Sequence, residues 1–276
     1  MNDQSLLSSL DPEIGERLVR RDQEIARGAS VGRVTAAGLA MASVPVALAA
    51  LSTDVFAQGG LPNEVVDVLN FALTLEYLES TFYNYALSPQ YHVVPPQDAP
   101  IFQTIQSHEN EHVAYLKAAL GDRAVRTPEF DFSGAQGAHN GPFHDVFFVY
   151  DKFTALSQAF EDTGVRAYKG QAPFLRGVKP ILTAALQIHA VEARHASAVR
   201  RLRGNFQDLV PNRGWITDNT TDVPGTAAVY AGEQNVFQGG VDILALHFRT
   251  GDATEAFDEP LTRAEVLAIA SPFIIP

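Results

Sequence analysis

Cysteine is absent from the 276 residues, which excludes disulfides, thiolate metal sites, a cysteine nucleophile and a lipid-modified amino-terminal cysteine. Any metal must therefore be held by oxygen and imidazole nitrogen. Runs of lysine and arginine are absent as well. With 20 basic against 32 acidic residues, the net charge is -12 and the pI about 5.0. Such a chain lacks the basic stripe that binds a phosphate backbone, so no nucleic-acid partner is expected. The acidic balance suits cations and solubility but selects no function. A hydrophobic content of 46% is enough for one sizeable core with extensions.

The amino terminus reads as an address. From Val34 to Leu51 the sequence VTAAGLAMASVPVALAAL carries no charge, and Arg17, Arg20, Arg21, Arg27 and Arg33 precede it. A small-residue site, Val55-Phe56-Ala57, follows. Basic region, apolar region and cleavage-like site make a secretory pattern, and the Arg20-Arg21 pair points to the twin-arginine route. Asp22 and Glu24 depart from that pattern, since an apolar residue usually follows the arginine pair. Residues 1–57 are read as an export signal, which places the mature protein in the periplasm or beyond. Two alternatives stay open: a membrane anchor through 34–51, near the roughly 18 to 20 apolar residues that span a bilayer, or a helix packed on the protein's own core.

Four long helical segments follow. NEVVDVLNFALTLEYLESTFYNYAL has no Gly or Pro, and Asn63 stands where a cap would. Asp98 opens a second run that Gly121 stops. The third is expected from Pro142 to Gly170 and the fourth from Lys179 to Gly204, with prolines near the starts and glycines at the ends. The Gly- and Pro-punctuated stretch 128–142 makes the second connection the longest, as a crossover requires. The expected fold is all-α: a four-helix bundle over 61–204 and a loop-rich carboxyl-terminal extension, 205–276, packed on it. Within the extension, 205–225 reads as irregular, with short helical pieces around 226–248 and 261–271.

Acidic residues form a four-part pattern along the helices. The first carries Glu76 and the third Glu161, the second Glu109-x-x-His112 and the fourth Glu192-x-x-His195. Residues three apart share a helix face, so each Glu/His pair can present an oxygen and a nitrogen to one ion. One Glu from each of two helices and a Glu-x-x-His from each of the others is the ligand set of a di-metal carboxylate bundle. Two divalent ions would balance four carboxylates that are otherwise costly to bury. Oxygen with imidazole suits iron or manganese and leaves zinc open. Each single Glu is followed seven residues later by a tyrosine, Tyr83 and Tyr168, two turns along the same face, so the chain reads as two related helix pairs. Either tyrosine could hydrogen-bond a ligand, carry a radical or serve the core. Glu79 could replace or join Glu76, or be an outer carboxylate. His108 and His189 lie near the ligands, and Asp162, next to Glu161, must point elsewhere.

The stretches LNFALTLEYLESTFY, HENEHVAYL, FEDTGVRAY and VEARHASAV, with the ending AFDEPLTRAEVLAIASPFI, resemble the bacterial ferritin-like proteins grouped with plant desiccation-related proteins. The resemblance covers roughly 61–276. It implies the ferritin-like bundle and, by motif, the metal ligands Glu76, Glu109, His112, Glu161, Glu192 and His195, and it supports export.

Three functions compete on these grounds. An oxidoreductase-type site would react with oxygen or peroxide, oxidising Fe(II) or removing the oxidant. A stress-protective interaction protein, attached to a membrane through 34–51, would use metal only to tie the bundle. Iron storage would require a homo-oligomer closed into a cage, which the bulky extensions disfavour.

Overall fold

The computed structural model describes residues 60–204 and 214–276. The leader 1–57, including the apolar run 34–51, lies outside the described residues. Among those described, no helix is long and apolar enough to cross a membrane.

Four long helices form the body: α1 Asn63–Ala86, α2 Ala99–Leu120, α3 Tyr150–Gln171 and α4 Lys179–Arg203. Helix α1 packs along α2 and α3 along α4, and the two pairs meet through α1 and α3. This is the all-α bundle with a long crossover that the sequence indicates. Helix α1 is buried on nearly every side, from Val65 to Ala86, which fits its unbroken apolar composition. Gly121 ends α2 at a φ of 57°, a left-handed value that a residue without Cβ adopts freely.

Two helix starts differ from expectation. Pro62 holds the N-cap of α1, and no side chain caps it, so Asn63 is the first helical residue rather than the cap. Helix α3 starts at Tyr150, eight residues after Pro142. The intervening residues bond in turns, Val146 N–H to the Phe143 carbonyl and Phe148 N–H to Asp145. Their aromatic anchors explain the departure. Phe143 and Phe147 are buried, and the Phe147 ring lies 4.9 Å from Tyr91 and 5.4 Å from Phe82. Tertiary packing overrides local helix propensity here.

The core falls into two clusters with the site between them. On α2, Phe102 and Ile105 belong to one cluster, Tyr115 and Leu116 to the other, and Glu109 and His112 stand between. On α4, Ile181 to Ile188 and Val199 flank Glu192 and His195 in the same way. The bundle thus carries a polar layer between two apolar clusters.

The carboxyl-terminal extension closes around the crossover and α3. Phe130 bridges Ile274, and the Asp131 N–H bonds the Phe273 carbonyl at 2.8 Å. Arg166 of α3 is fully buried. It donates to the carbonyls of Val229, Ala231 and Glu259 and pairs with Glu233 at 2.8 Å. A Cβ on Gly170 would stand 1.9 Å from the Leu261 carbonyl oxygen, so only glycine permits that approach.

The stretch 226–248 is not helical in the way its composition suggests. It holds a single 3-10 turn, Ala227–Tyr230, then an antiparallel hairpin, β1 Phe237–Gln238 with β2 Val241–Asp242, and a second 3-10 turn, Leu244–Leu246. Gly239 and Gly240, at φ of 57° and 85°, form the two-residue turn that hairpins favour. Two short helices follow, α5 Thr250–Glu255 and α6 Arg263–Ala270. A reciprocal capping box between Thr262 and Glu265 starts α6.

Candidate metal centre

All six residues singled out by the helix spacing meet in the polar layer. Glu76, Glu109, Glu161 and Glu192 have no exposed surface, and His112 and His195 are buried with them. His112 Nδ1 lies 3.2 Å from carboxylate oxygens of Glu76, Glu109 and Glu192. His195 Nδ1 lies 2.8 Å from Glu109 and 3.1 Å from Glu161. The two oxygens of Glu109 therefore face different histidines, which sets this carboxylate between the two halves.

Two overlapping sets of donor atoms result. Glu76, Glu109, His112 and Glu192 offer atoms that all lie within 4.8 Å of one another, and so do Glu109, Glu161, Glu192 and His195. Glu109 and Glu192 belong to both sets. Either set could hold a metal ion. The hydrogen bonding among the described residues leaves this role open, because Glu109 Oε1 and both oxygens of Glu192 are buried without a hydrogen-bond partner. Imidazole atoms stand near two of these oxygens without the alignment that a hydrogen bond needs. Buried acceptors left unpaired are costly, and carboxylate oxygen with imidazole nitrogen is the donor chemistry of a divalent cation.

Electrostatics show how strained the layer is without a cation. Burial raises Glu76 to about 7, against the opposing pull of His112. Glu192 is pushed well above the usual range by burial and then by Glu109, Glu161 and Glu76. Burial pulls the imidazoles down, yet the surrounding carboxylates outweigh it, holding His112 well above its ordinary value and His195 at about 11. Protons on the histidines thus offset part of the charge of the buried carboxylates.

The tyrosines cross between the halves. Tyr83 of α1 donates to Glu161 of α3, and Tyr168 of α3 donates to Glu76 of α1. Burial and these carboxylates raise both phenols well above the ordinary range, so each remains a donor. The seven-residue spacing puts each tyrosine on the face of its own glutamate, but its hydroxyl serves the glutamate of the opposite pair.

The lesser candidates separate cleanly. His108 Nδ1 stands 2.9 Å from His195 Nε2, the nitrogen facing away from the carboxylates, and the two rings stack. That contact orients His195 from outside the two donor sets. His189 Nδ1 bonds the Val165 carbonyl at 2.9 Å, which draws it out of the layer. Asp162 turns to Arg200 and to the Tyr230 hydroxyl. Glu79 is buried in the layer, where Glu192, Glu109, Glu161 and Glu76 all act on it, although it belongs to neither donor set.

Gly164 is the residue that pattern reading passed over. A Cβ there would lie 2.7 Å from Glu192 Oε2 and 3.3 Å from Glu79 Oε1. The signal was available: a glycine inside a helix costs about 1 kcal/mol relative to alanine, and such a residue marks a close approach.

A helical bundle with a buried layer of four helix-borne carboxylates and two histidines is the architecture of a carboxylate metal-site protein. The chain belongs to the ferritin-like domain family, whose pattern matches residues 64–205. No curated protein matches it.

Proposed function

We propose that this chain is a di-metal carboxylate protein that binds two iron or manganese ions and reacts with dioxygen or peroxide, oxidising Fe(II) or removing the oxidant in stress protection. The observation that carries the reading is the pair of donor sets sharing Glu109 and Glu192, with three of their buried oxygens unpaired. Glu76 and His112 would serve one ion, Glu161 and His195 the other, and Glu109 and Glu192 both. Reduced ions held there would supply the electrons for attack on the oxidant.

The chain's own groups do the rest. Tyr83 and Tyr168 fix the free rotation of Glu161 and Glu76 by hydrogen bonds, and His108 orients His195 from outside. The apolar clusters on either side of the layer exclude water, which strengthens every charge interaction within it. Export through 1–57, with attachment through 34–51 as the alternative, completes the reading. Fractionation of cells with amino-terminal sequencing of the mature chain tests it.

The decisive experiment is metal content. Purification without chelator should give a chain that takes up about two iron or manganese ions, counted by mass spectrometry, with uptake lost in Glu109→Ala and Glu192→Ala. Oxygen and peroxide consumption by the reduced, loaded protein should follow. Anaerobic reconstitution that yields no bound metal would sink the proposal. Bound metal without any turnover would reduce the centre to a structural tie.

A further inference from the structure

We propose that an apolar cavity at one end of the carboxylate layer is a holding site for dioxygen; the proposal rests on the metal reading above. The cavity measures about 20 Å³ for the centre of a water-sized sphere, more than the roughly 10–15 Å³ that one water requires. Size alone would admit water, but a buried water needs two to four polar partners. The walls come from aliphatic and aromatic side chains such as Leu75, Leu116, Ala185 and Ile188, with Gln171 the one wall residue that is neither. The Tyr168 hydroxyl is already committed to Glu76. A space with so few polar groups in its wall favours a small apolar guest over water.

Its position gives that guest a purpose. Three wall residues stand one helical turn from the layer: Ala72 four residues before Glu76, Leu116 four after His112 and Ile188 four before Glu192. Four residues span about 6 Å of helix. Tyr168 lines the cavity while its hydroxyl donates to Glu76, so one side chain links cavity wall and carboxylate. Dioxygen is apolar, diatomic and small enough. Hydrogen peroxide would lose its hydrogen bonds on entry and a hydrated cation its water, so both must reach the layer by another path.

Xenon is the probe, because it reports the cavity whether or not metal is bound. Crystals of the full chain under xenon pressure should show an atom beside Tyr168, and Ala72→Leu and Ala185→Leu should each remove it by filling the space from opposite sides. Both variants should keep the parent's anaerobic metal content. Their oxidation by dioxygen should need a several-fold higher oxygen concentration for half its maximal rate, while oxidation by peroxide keeps its rate. A parent that binds metal but no xenon would overturn the holding site alone, as would filled variants with unchanged oxygen dependence. A parent that binds no metal overturns the metal reading and this proposal with it, whatever xenon does.

Discussion

Replacing Glu192 by leucine should make the metal-free protein more stable and the metal-treated protein less so. Both Glu192 oxygens are buried without hydrogen bonds, and its side chain adds charge beside Glu109, Glu161 and Glu76. Leaving a buried acceptor unsatisfied costs about 1–3 kcal/mol, and an apolar side chain of similar volume removes both unpaired oxygens at once. The exchange takes one carboxylate away from His112, which keeps Glu76 and Glu109 beside it. A gain of about 1–3 kcal/mol raises Tm by roughly 2–12 °C at about 2–4 °C per kcal/mol for a chain of this size. The assay is thermal melting by circular dichroism in chelator, then with Mn(II), which isolates binding from redox chemistry. At a hundredfold excess over Kd each site adds about 2.7 kcal/mol to the parent, and Glu192→Leu should lose the gain at both sites because both donor sets use this residue. Asp162→Leu is the control of opposite sign. Asp162 is also a buried carboxylate, but it pairs with buried Arg200, so its removal strands a charge and should cost about 3–5 kcal/mol. A Glu192→Leu variant that melts lower than the parent in chelator and still gains stability from Mn(II) would refute the reasoning.

Three further outcomes are expected. Gly164→Ala should fold, since alanine favours helix by about 1 kcal/mol, but it should displace Glu192 and weaken metal binding in equilibrium titration; unchanged affinity would mean that the carboxylate was never confined there. Tyr168→Phe removes the donor to Glu76 and should lower metal affinity about 10–100-fold with secondary structure intact, so equal affinity would show that the hydroxyl does not orient this ligand. Burial, opposed by Arg166, lifts Glu233 from 4.5 to about 7, so the folded chain binds this proton more tightly than the unfolded one. Stability from this group is full below pH 4.5 and falls as pH rises to about 7; denaturant titrations should show the parent losing ground to Glu233→Gln across that interval, and a constant difference would remove Glu233 from the pH response.

Repetition made the layer legible. Each ligand position lies at a set spacing on a helix, and helix periodicity converts spacing into direction. The crossover and the extension carry no such periodicity, and their form depends on distant partners. The turns at 143–149 exist because Phe147 reaches Phe82 and Tyr91, contacts that no local window contains. Arg166 looks like an ordinary helix residue in FEDTGVRAY, yet it is buried against carbonyls 63 or more residues away. Nothing near it in sequence announces those acceptors. The hairpin was accessible, because Gly239-Gly240 between Gln238 and Val241 is a turn signal in its own right, but a glycine pair also marks loops.

The layer's symmetry explains both its strength and the place where it fails. Glu76 and Glu161 are each oriented by a tyrosine from the other helix pair, and each donor set draws a carboxylate from the other pair, Glu192 for one and Glu109 for the other, so neither pair holds a complete set alone. A metal at either set would therefore need the docked bundle and would stabilise the α2–α4 contact in particular, because Glu109 and Glu192 belong to both sets. The equivalence breaks one turn further on. Three residues after Glu76 stands Glu79, and three after Glu161 stands Gly164. The two positions face each other, with Glu79 Oε1 only 3.3 Å from where a Cβ on residue 164 would be. Two glutamates there would collide beside Glu192, and two glycines would leave a hole against it. The fifth carboxylate sits where its counterpart on α3 has no side chain, so changes at residues 79 and 164 should be energetically coupled: their effects in a double-mutant cycle should not add.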